Sequence, residues 1–250
     1  MLLFKLVEYL NTYLEIENFK DYSLNGLQVE NSGEIKKIYT AVDANLYTIN
    51  QCEPDSILLV HHGLFWGKDF PITASNYKKI KTLISKNIAL YASHLPLDAH
   101  KEVGNNASLL KLLNVKILEE FGNYHGIYIG YGGEFEEELS LYEITDRLEQ
   151  ELKHPVNLVN FSGVERIKSV CAVSGSPGMD ILNEFYDTGY DLLVTGESSH
   201  IAHNYCEDNS LCVIFGTHYA TETLGIRSLG EKLSNEFTIP NEFIRHDTGQ

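Results

Sequence analysis

His218 and Glu222 stand four residues apart, a spacing that puts an imidazole and a carboxylate on one helix face. Such a pair can hold one borderline divalent cation, or its carboxylate can bridge two. The same spacing is common on solvated helices, so the pair gains weight only from its company. Four polar clusters each follow a short apolar run. His61-His62-Gly63-Leu64-Phe65-Trp66 follows residues 56–60, and His94-Leu95-Pro96-Leu97-Asp98 follows residues 88–93. Gly196-Glu197-Ser198-Ser199-His200 follows residues 191–195, and Gly216-Thr217-His218-Tyr219-Ala220-Thr221-Glu222 follows residues 211–215. Of the ten histidines, six (61, 62, 94, 200, 203 and 218) lie in or just after these runs. Open parallel sheets bind ligands at the carboxyl ends of their strands, which is where such clusters would sit.

Neighbours in a regular strand point to opposite faces. His61 and His62 are therefore expected to converge only where the chain leaves the sheet, which Gly63 permits. Asp98 alone reads more readily as a helix cap than as a ligand. Together, three histidines (His61, His62, His218) and two carboxylates (Asp98, Glu222) at strand ends suit a two-metal hydrolytic site of imidazole and carboxylate.

The elements that must position them follow from periodicity. Leu2, Leu3, Leu6, Val7, Leu10 and Leu14 mark an amphipathic helix, and Asn25-Gly26 a turn. Strands are predicted over 36–44, 56–60, 88–93, 156–161, 167–173, 191–195, 211–215 and 242–246, with an antiparallel stretch over 122–133. Helices are predicted over 75–86 with Ser75 as cap, 105–113, 140–152 with a Ser140/Glu143 capping box, 179–188, 198–206 and 218–235. Alternation of the two predicts an α/β fold: two packed α/β domains with mostly parallel sheets flanked by helices. The domains are drawn as 1–122 with about 211–250, and about 123–210. Site residues from both ends of the chain then meet in an interdomain cleft.

Lys plus Arg number 19 against 35 Asp plus Glu, giving a formal charge of −16. Such a chain repels nucleic-acid phosphates and anionic lipid, so general nucleic-acid or membrane-surface binding is not expected. No apolar run reaches transmembrane length, and the start lacks the leader of a signal peptide, so a cytoplasmic protein is expected. Cys52, Cys171, Cys206 and Cys212 show no C-x-x-C spacing and read as reduced, mostly buried thiols.

HHGLFW, the HLPLDAH segment, TGESSH and GTHYATE, together with NGLQV from Asn25, resemble the signatures of the NIF-three-like family, also called GTP cyclohydrolase I type 2 homologues. The resemblance spans the whole chain and fits the short form without a large inserted domain. It implies a dinuclear metal site in an interdomain cleft and a toroidal homohexamer. Two divalent ions per chain (Zn, Mn or Fe) would be held by His61, His62, Asp98, His218 and Glu222, with Glu222 as the bridge. His200 matches the family's TG-x-x-x-H histidine and is expected to line the substrate cleft. Where the family reads close to H-T-N-L-D, this chain has His94-Leu95-Pro96-Leu97-Asp98; Asp98 is retained, while the polar Thr and Asn are replaced.

The activity the resemblance implies is conversion of GTP to 7,8-dihydroneopterin triphosphate and formate, with metal-activated hydroxide attacking C8 of guanine. His94, four residues before Asp98 and directly after a buried strand, is the candidate for proton transfer. Two rivals stand beside this reading: a non-catalytic dinuclear metal-binding assembly or regulatory protein, and a two-metal phosphoesterase or amidohydrolase with another substrate.

Overall fold

The computed structural model describes residues 1–68 and 70–249. The first part of the chain forms α1 (Leu3–Tyr13), a 3-10 turn (Ile16–Asn18), β1 (Gly26–Val29), β2 (Lys37–Asp43), α2 (Leu46–Gln51), β3 (Ser56–His62), α3 (Ala74–Ser85) and β4 (Ile88–Ala92). It continues with α4 (Leu95–Asp98), α5 (Asn105–Leu112), β5 (Lys116–Tyr124), β6 (Ile127–Ser140), α6 (Leu141–Leu152), β7 (Asn157–Asn160) and β8 (Arg166–Val173). Then come α7 (Met179–Thr188), β9 (Leu192–Thr195), α8 (His200–Asp208), β10 (Cys212–Phe215), α9 (His218–Phe237) and β11 (Asn241–Phe243). The class is α/β, with two sheets flanked by helices. The elements form two compact units: Met1–Leu97 with Ile226–His246, and Asp98–Gly225 with the chain from Asp247 on.

The first unit holds a five-stranded sheet of order β1-β4-β3-β2-β11. Four strands run parallel and only β1 is antiparallel to its neighbour. β3 lies at the centre and is buried from Ser56 to His61. That explains its continuous apolar run, since a strand covered on both faces has no solvent side to mark with polar residues. Tyr39, Ala41, Leu58, Val60, Leu90 and Ala92 form the heart of this core. α1 buries Leu3, Leu6 and Leu10, as its periodicity predicts. Two features differ from the sequence reading. Gly26 opens β1 rather than closing a turn, at φ +103°, where a side chain would be strained. α2 begins at a capping box in which Asn45 and Thr48 bond each other's backbone N–H.

The second unit holds a six-stranded sheet of order β5-β6-β8-β9-β10-β7. Only β8, β9 and β10 run parallel; β5, β6 and β7 are antiparallel to their neighbours. The expectation of mostly parallel sheets therefore fails here, for a local reason. Tyr124 pairs with Ile127, so β5 and β6 are joined by the two residues His125-Gly126. Both have positive φ, +52° and +89°, as a primed two-residue hairpin turn requires. A connection that short can only return the chain antiparallel. The Ser140/Glu143 capping box opens α6, with Ser140 Oγ accepting from Glu143 N at 3.2 Å. The cap expected at Ser75 is absent: α3 starts one residue earlier, behind Thr73, and no side chain bonds its first turn.

α6 lays Ile144, Leu148 and Leu152 into the second core beside Val170, Leu192 and Ile214. Leu148 is fully buried, whereas Tyr142 on the same helix is 77% exposed. Leu148→Ala should therefore cost about 2–5 kcal/mol in urea unfolding. Tyr142→Ala should stay within about 0.5 kcal/mol. Equal effects of the two would contradict this packing.

Candidate metal centre

His61 and His62 close β3, and His94 follows β4, the strand beside it. One nitrogen from each ring lies within 4.8 Å of the others. The ring centroids of His61 and His62 are 4.7 Å apart, and those of His61 and His94 5.0 Å. The adjacent pair thus converges without leaving the sheet, since His62 still pairs with Asp43 of β2. The anchors explain how. His61 Nδ1 lies 3.0 Å from Ser93 O, at the end of β4, and His62 Nδ1 lies 2.9 Å from Asp43 Oδ1, at the end of β2. One ring is tied to each flanking strand. His94 Nδ1 lies 3.0 and 3.1 Å from the two carboxylate oxygens of Asp21.

Carbonyl and carboxylate oxygens only accept, so in all three rings Nδ1 is the nitrogen that carries hydrogen. The lone pair of each neutral ring is then on Nε2. This is the arrangement that orients metal-binding histidines. Gly63 does a different job from the one expected of it. A methyl group there would stand 2.3 Å from Gln28 Nε2, so the glycine lets Gln28 reach the turn. Gln28 accepts from Leu64 N at 2.7 Å and donates to Leu24 O at 2.7 Å.

In the second unit, His218 is the first residue of α9. Its Nε2 lies 3.2 Å from Glu222 Oε1, and its Nδ1 lies 3.0 Å from Glu197 Oε2. Thr217, just before it, sits at φ +66°, a conformation costing a β-branched residue about 1–2 kcal/mol. Backbone strain of this kind gathers where a side chain must be aimed. Burial works against the charged form of His218, but Glu222 first and Glu197 second outweigh it and push its pKa up to about 9. Asp98 is buried, and its Oδ1 accepts from Asn105 Nδ2 at 2.9 Å and Ser174 Oγ at 3.0 Å. Asn105 and Asn106 are fully buried in the same network. Asn105 Oδ1 takes the Gly225 N–H at 2.7 Å, and Asn106 spans from Ser174 N to Ile129 O. Gly175, next to Ser174, has φ +73°, and a methyl group there would stand 2.5 Å from Glu222 Oε1.

The sequence model of Duf34/NIF3 (NGG1p interacting factor 3) matches residues 1–248. The chain belongs to the Duf34/NIF3 family. It is 44% identical over 249 residues to a GTP cyclohydrolase 1 type 2 homolog of Pyrococcus abyssi, covering 98% of each chain. A protein of the same description from Deinococcus radiodurans is 40% identical over 247 residues, covering 98% of this chain and 93% of that one. Among solved structures, TTHA1606 from Thermus thermophilus superposes with a TM-score of 0.89 at 37% identity, covering 100% of both chains.

Within this Duf34/NIF3 chain, the donors fit a borderline divalent cation: imidazoles presented through Nε2, a buried carboxylate, and oxygen acceptors behind the rings. His61, His62 and His94 form one group, and His218 with Glu222 another. Asp98 enters no metal-capable grouping among the described residues and is held instead by Asn105 and Ser174. His200 opens α8, is exposed, and lies 3.4 Å from Asn204 of its own helix. The four cysteines are free and buried, as expected. Desolvation pushes Cys52 and Cys212 up to about 12 and Cys206 to about 11, so in the folded chain they stay as thiols at neutral pH. Sequence reasoning missed the residues behind the rings. Asp43 ends a strand as the histidines do, and Glu197 lies in a cluster from which only His200 was taken. Asp21 carries no strand-end signal.

Two outcomes follow from this geometry. The folded-state pKa of His218 is raised from its ordinary 6.5 to about 9 in the metal-free chain. Its pair with Glu222 and Glu197 therefore stabilises fully below about pH 6.5 and loses that contribution as pH rises through about 9. A metal needs the same nitrogen without its proton, so adding zinc to metal-free protein at about pH 7.5 should release a proton. That release, followed in weak buffer, should shrink in His218→Gln. Gly175→Ala should displace Glu222 and weaken metal retention roughly 10–100-fold against a chromophoric chelator. Unchanged retention would show that the glycine loop does not set the carboxylate.

Proposed function

We propose that this protein is a metal-dependent hydrolase that converts GTP and water to 7,8-dihydroneopterin triphosphate and formate. The observation that carries the reading is the shared construction of His61, His62, His94 and His218. Each has Nδ1 tied to an oxygen acceptor, so that Nε2 faces outward as a donor. The relatives' descriptions as GTP cyclohydrolase 1 type 2 homologs supply the substrate. In this reading His61 and His62 from one unit and Asp98, His218 and Glu222 from the other hold two divalent ions (Zn, Mn or Fe) in an interdomain cleft. Glu222 would be the carboxylate shared by both ions.

Bound divalent ions supply Lewis-acid activation of water and stabilisation of a developing oxyanion. The protein's own residues do the rest. Asp43, Glu197 and the Ser93 carbonyl hold three rings in the binding tautomer. Asn105 and Ser174 fix the Asp98 carboxylate. Trp66 stands edge-on to the His94 ring, with centroids 5.2 Å apart, and covers that side of the triad. His94, through Nε2, moves the proton between substrate and solvent. His200 lines the substrate side. The protein acts as a cytoplasmic homohexamer on a small nucleotide, not on nucleic acid in general. Among the described residues no helix is long and apolar enough to cross a membrane.

The deciding assay incubates metal-loaded protein with GTP and follows formate and, after oxidation and dephosphorylation, neopterin. Product from the wild type is expected. Glu222→Ala should lose close to both ions by elemental analysis and all turnover. His94→Ala should keep the metals and slow turnover about 10²–10⁴-fold. Full metal content with neither product across Zn, Mn and Fe would favour the metal-binding assembly reading. Phosphate release without neopterin would favour a phosphoesterase. Light scattering at physiological salt tests the hexamer.

A further inference from the structure

We propose that Asp21 is a positioning residue that fixes the tautomer and aim of His94; the inference rests on the hydrolase reading for what His94 does, and on this geometry alone for how it is held. The Asp21 side chain is 3% exposed. A carboxylate so deep is expected only where donors converge on it, and here they do. Ser23 N donates to Oδ1 at 3.0 Å, while Asn25 Nδ2 and Leu95 N donate to Oδ2 at 2.8 and 3.1 Å. His94 Nδ1 faces both oxygens at 3.0 and 3.1 Å. Asn25 also accepts the His94 backbone N–H at 2.8 Å. Backbone and ring of His94 are thus both tied to the segment from Asp21 to Asn25. The ring cannot turn without breaking contacts to a buried anion, and its Nε2 is left to face His61 and His62.

The arrangement discriminates between a carboxylate and an amide. An asparagine at position 21 must place its NH₂ on one of the two oxygen sites. On the Oδ2 site it would oppose two donors, Asn25 Nδ2 and Leu95 N. On the Oδ1 site it would oppose only one backbone donor, Ser23 N, but would then donate toward the His94 ring. The second placement loses less. It sets an NH₂ against His94 Nδ1 on one side and leaves only a neutral amide oxygen, on the Oδ2 site, at 3.1 Å on the other, so the hold on Nδ1–H weakens and the tautomer with hydrogen on Nε2 gains population.

The test is ¹⁵N magic-angle-spinning NMR of histidine-labelled, zinc-loaded protein at about pH 8, above the ordinary histidine range. The His94 signals are identified by their loss in His94→Gln. Wild type should show Nδ1–H with a non-protonated Nε2, and Asp21→Asn should show an added Nε2–H population. In parallel, kcat of Asp21→Asn should fall roughly 10–100-fold, with KM within about twofold and both ions retained. An Nε2–H tautomer in the wild type would overturn the proposal, and that measurement requires no variant to fold. An Asp21→Asn protein with a lowered melting temperature but an unchanged His94 tautomer would overturn it as well, by reducing Asp21 to a structural role. If the wild type turns over no GTP, the hydrolase reading fails while the tautomer measurement still decides whether Asp21 positions His94.

Discussion

An imidazole can offer Nε2 to a cation only if the hydrogen on Nδ1 has an acceptor. Each of the four histidines gathered at strand ends in this chain meets that condition differently. His61 uses a backbone carbonyl, His62 a carboxylate at the end of the next strand, His94 a buried carboxylate from the segment before β1, and His218 a half-exposed glutamate. Much of the surrounding fold follows from supplying those acceptors. β2, β3 and β4 are in parallel register, so their carboxyl ends lie together and Asp43, His61, His62 and Ser93 arrive at one edge. A shift of that register by one residue would exchange the faces of the two histidines and separate them from their anchors.

The second unit solves a related problem with a different device. Asp98 is surrounded by amide and hydroxyl donors, and Glu222 by an imidazole and a glycine loop. Asn105 and Asn106 connect this carboxylate to the backbones of α9, β6 and the loop after β8. Buried amides in a fully bonded network hold geometry more strictly than apolar packing does, because each lost bond leaves a desolvated dipole. A net charge of −16 makes the same point from outside. Cations are attracted to the molecule as a whole, so selectivity has to come from the shape and chemistry of the donors.

The strands and helices that deliver the histidines were legible because burial writes itself into sequence. β3 reads as an unbroken apolar run, β4 likewise, and α9 as a helix opening at His218. The donor residues were legible for a related reason: polar groups directly after buried strands are unusual. What was not legible depended on partners distant in sequence. Asp21 lies 73 residues from His94, and nothing local distinguishes it from a surface aspartate. The antiparallel stretch over 122–133 was legible and is the β5–β6 hairpin, but the antiparallel pairing of β7 was hidden, because an apolar strand reads the same in either direction. The unit boundaries fall inside α4 and α9, where no change of composition marks them.

The cysteines have a consequence of a different kind. All four thiols are enclosed, Cys52 in the first unit and Cys171, Cys206 and Cys212 in the second. Desolvation also keeps them in the unreactive thiol form. An alkylating reagent in solution reaches them only when the surrounding core opens, so their modification is a clock for rare excursions of the native state. The clock has separate hands: labelling at Cys52 times the core of the first unit, and labelling at the other three times that of the second. Peptide mapping after brief exposure to such a reagent would rank the two cores by how often each opens, with no mutation of the chain.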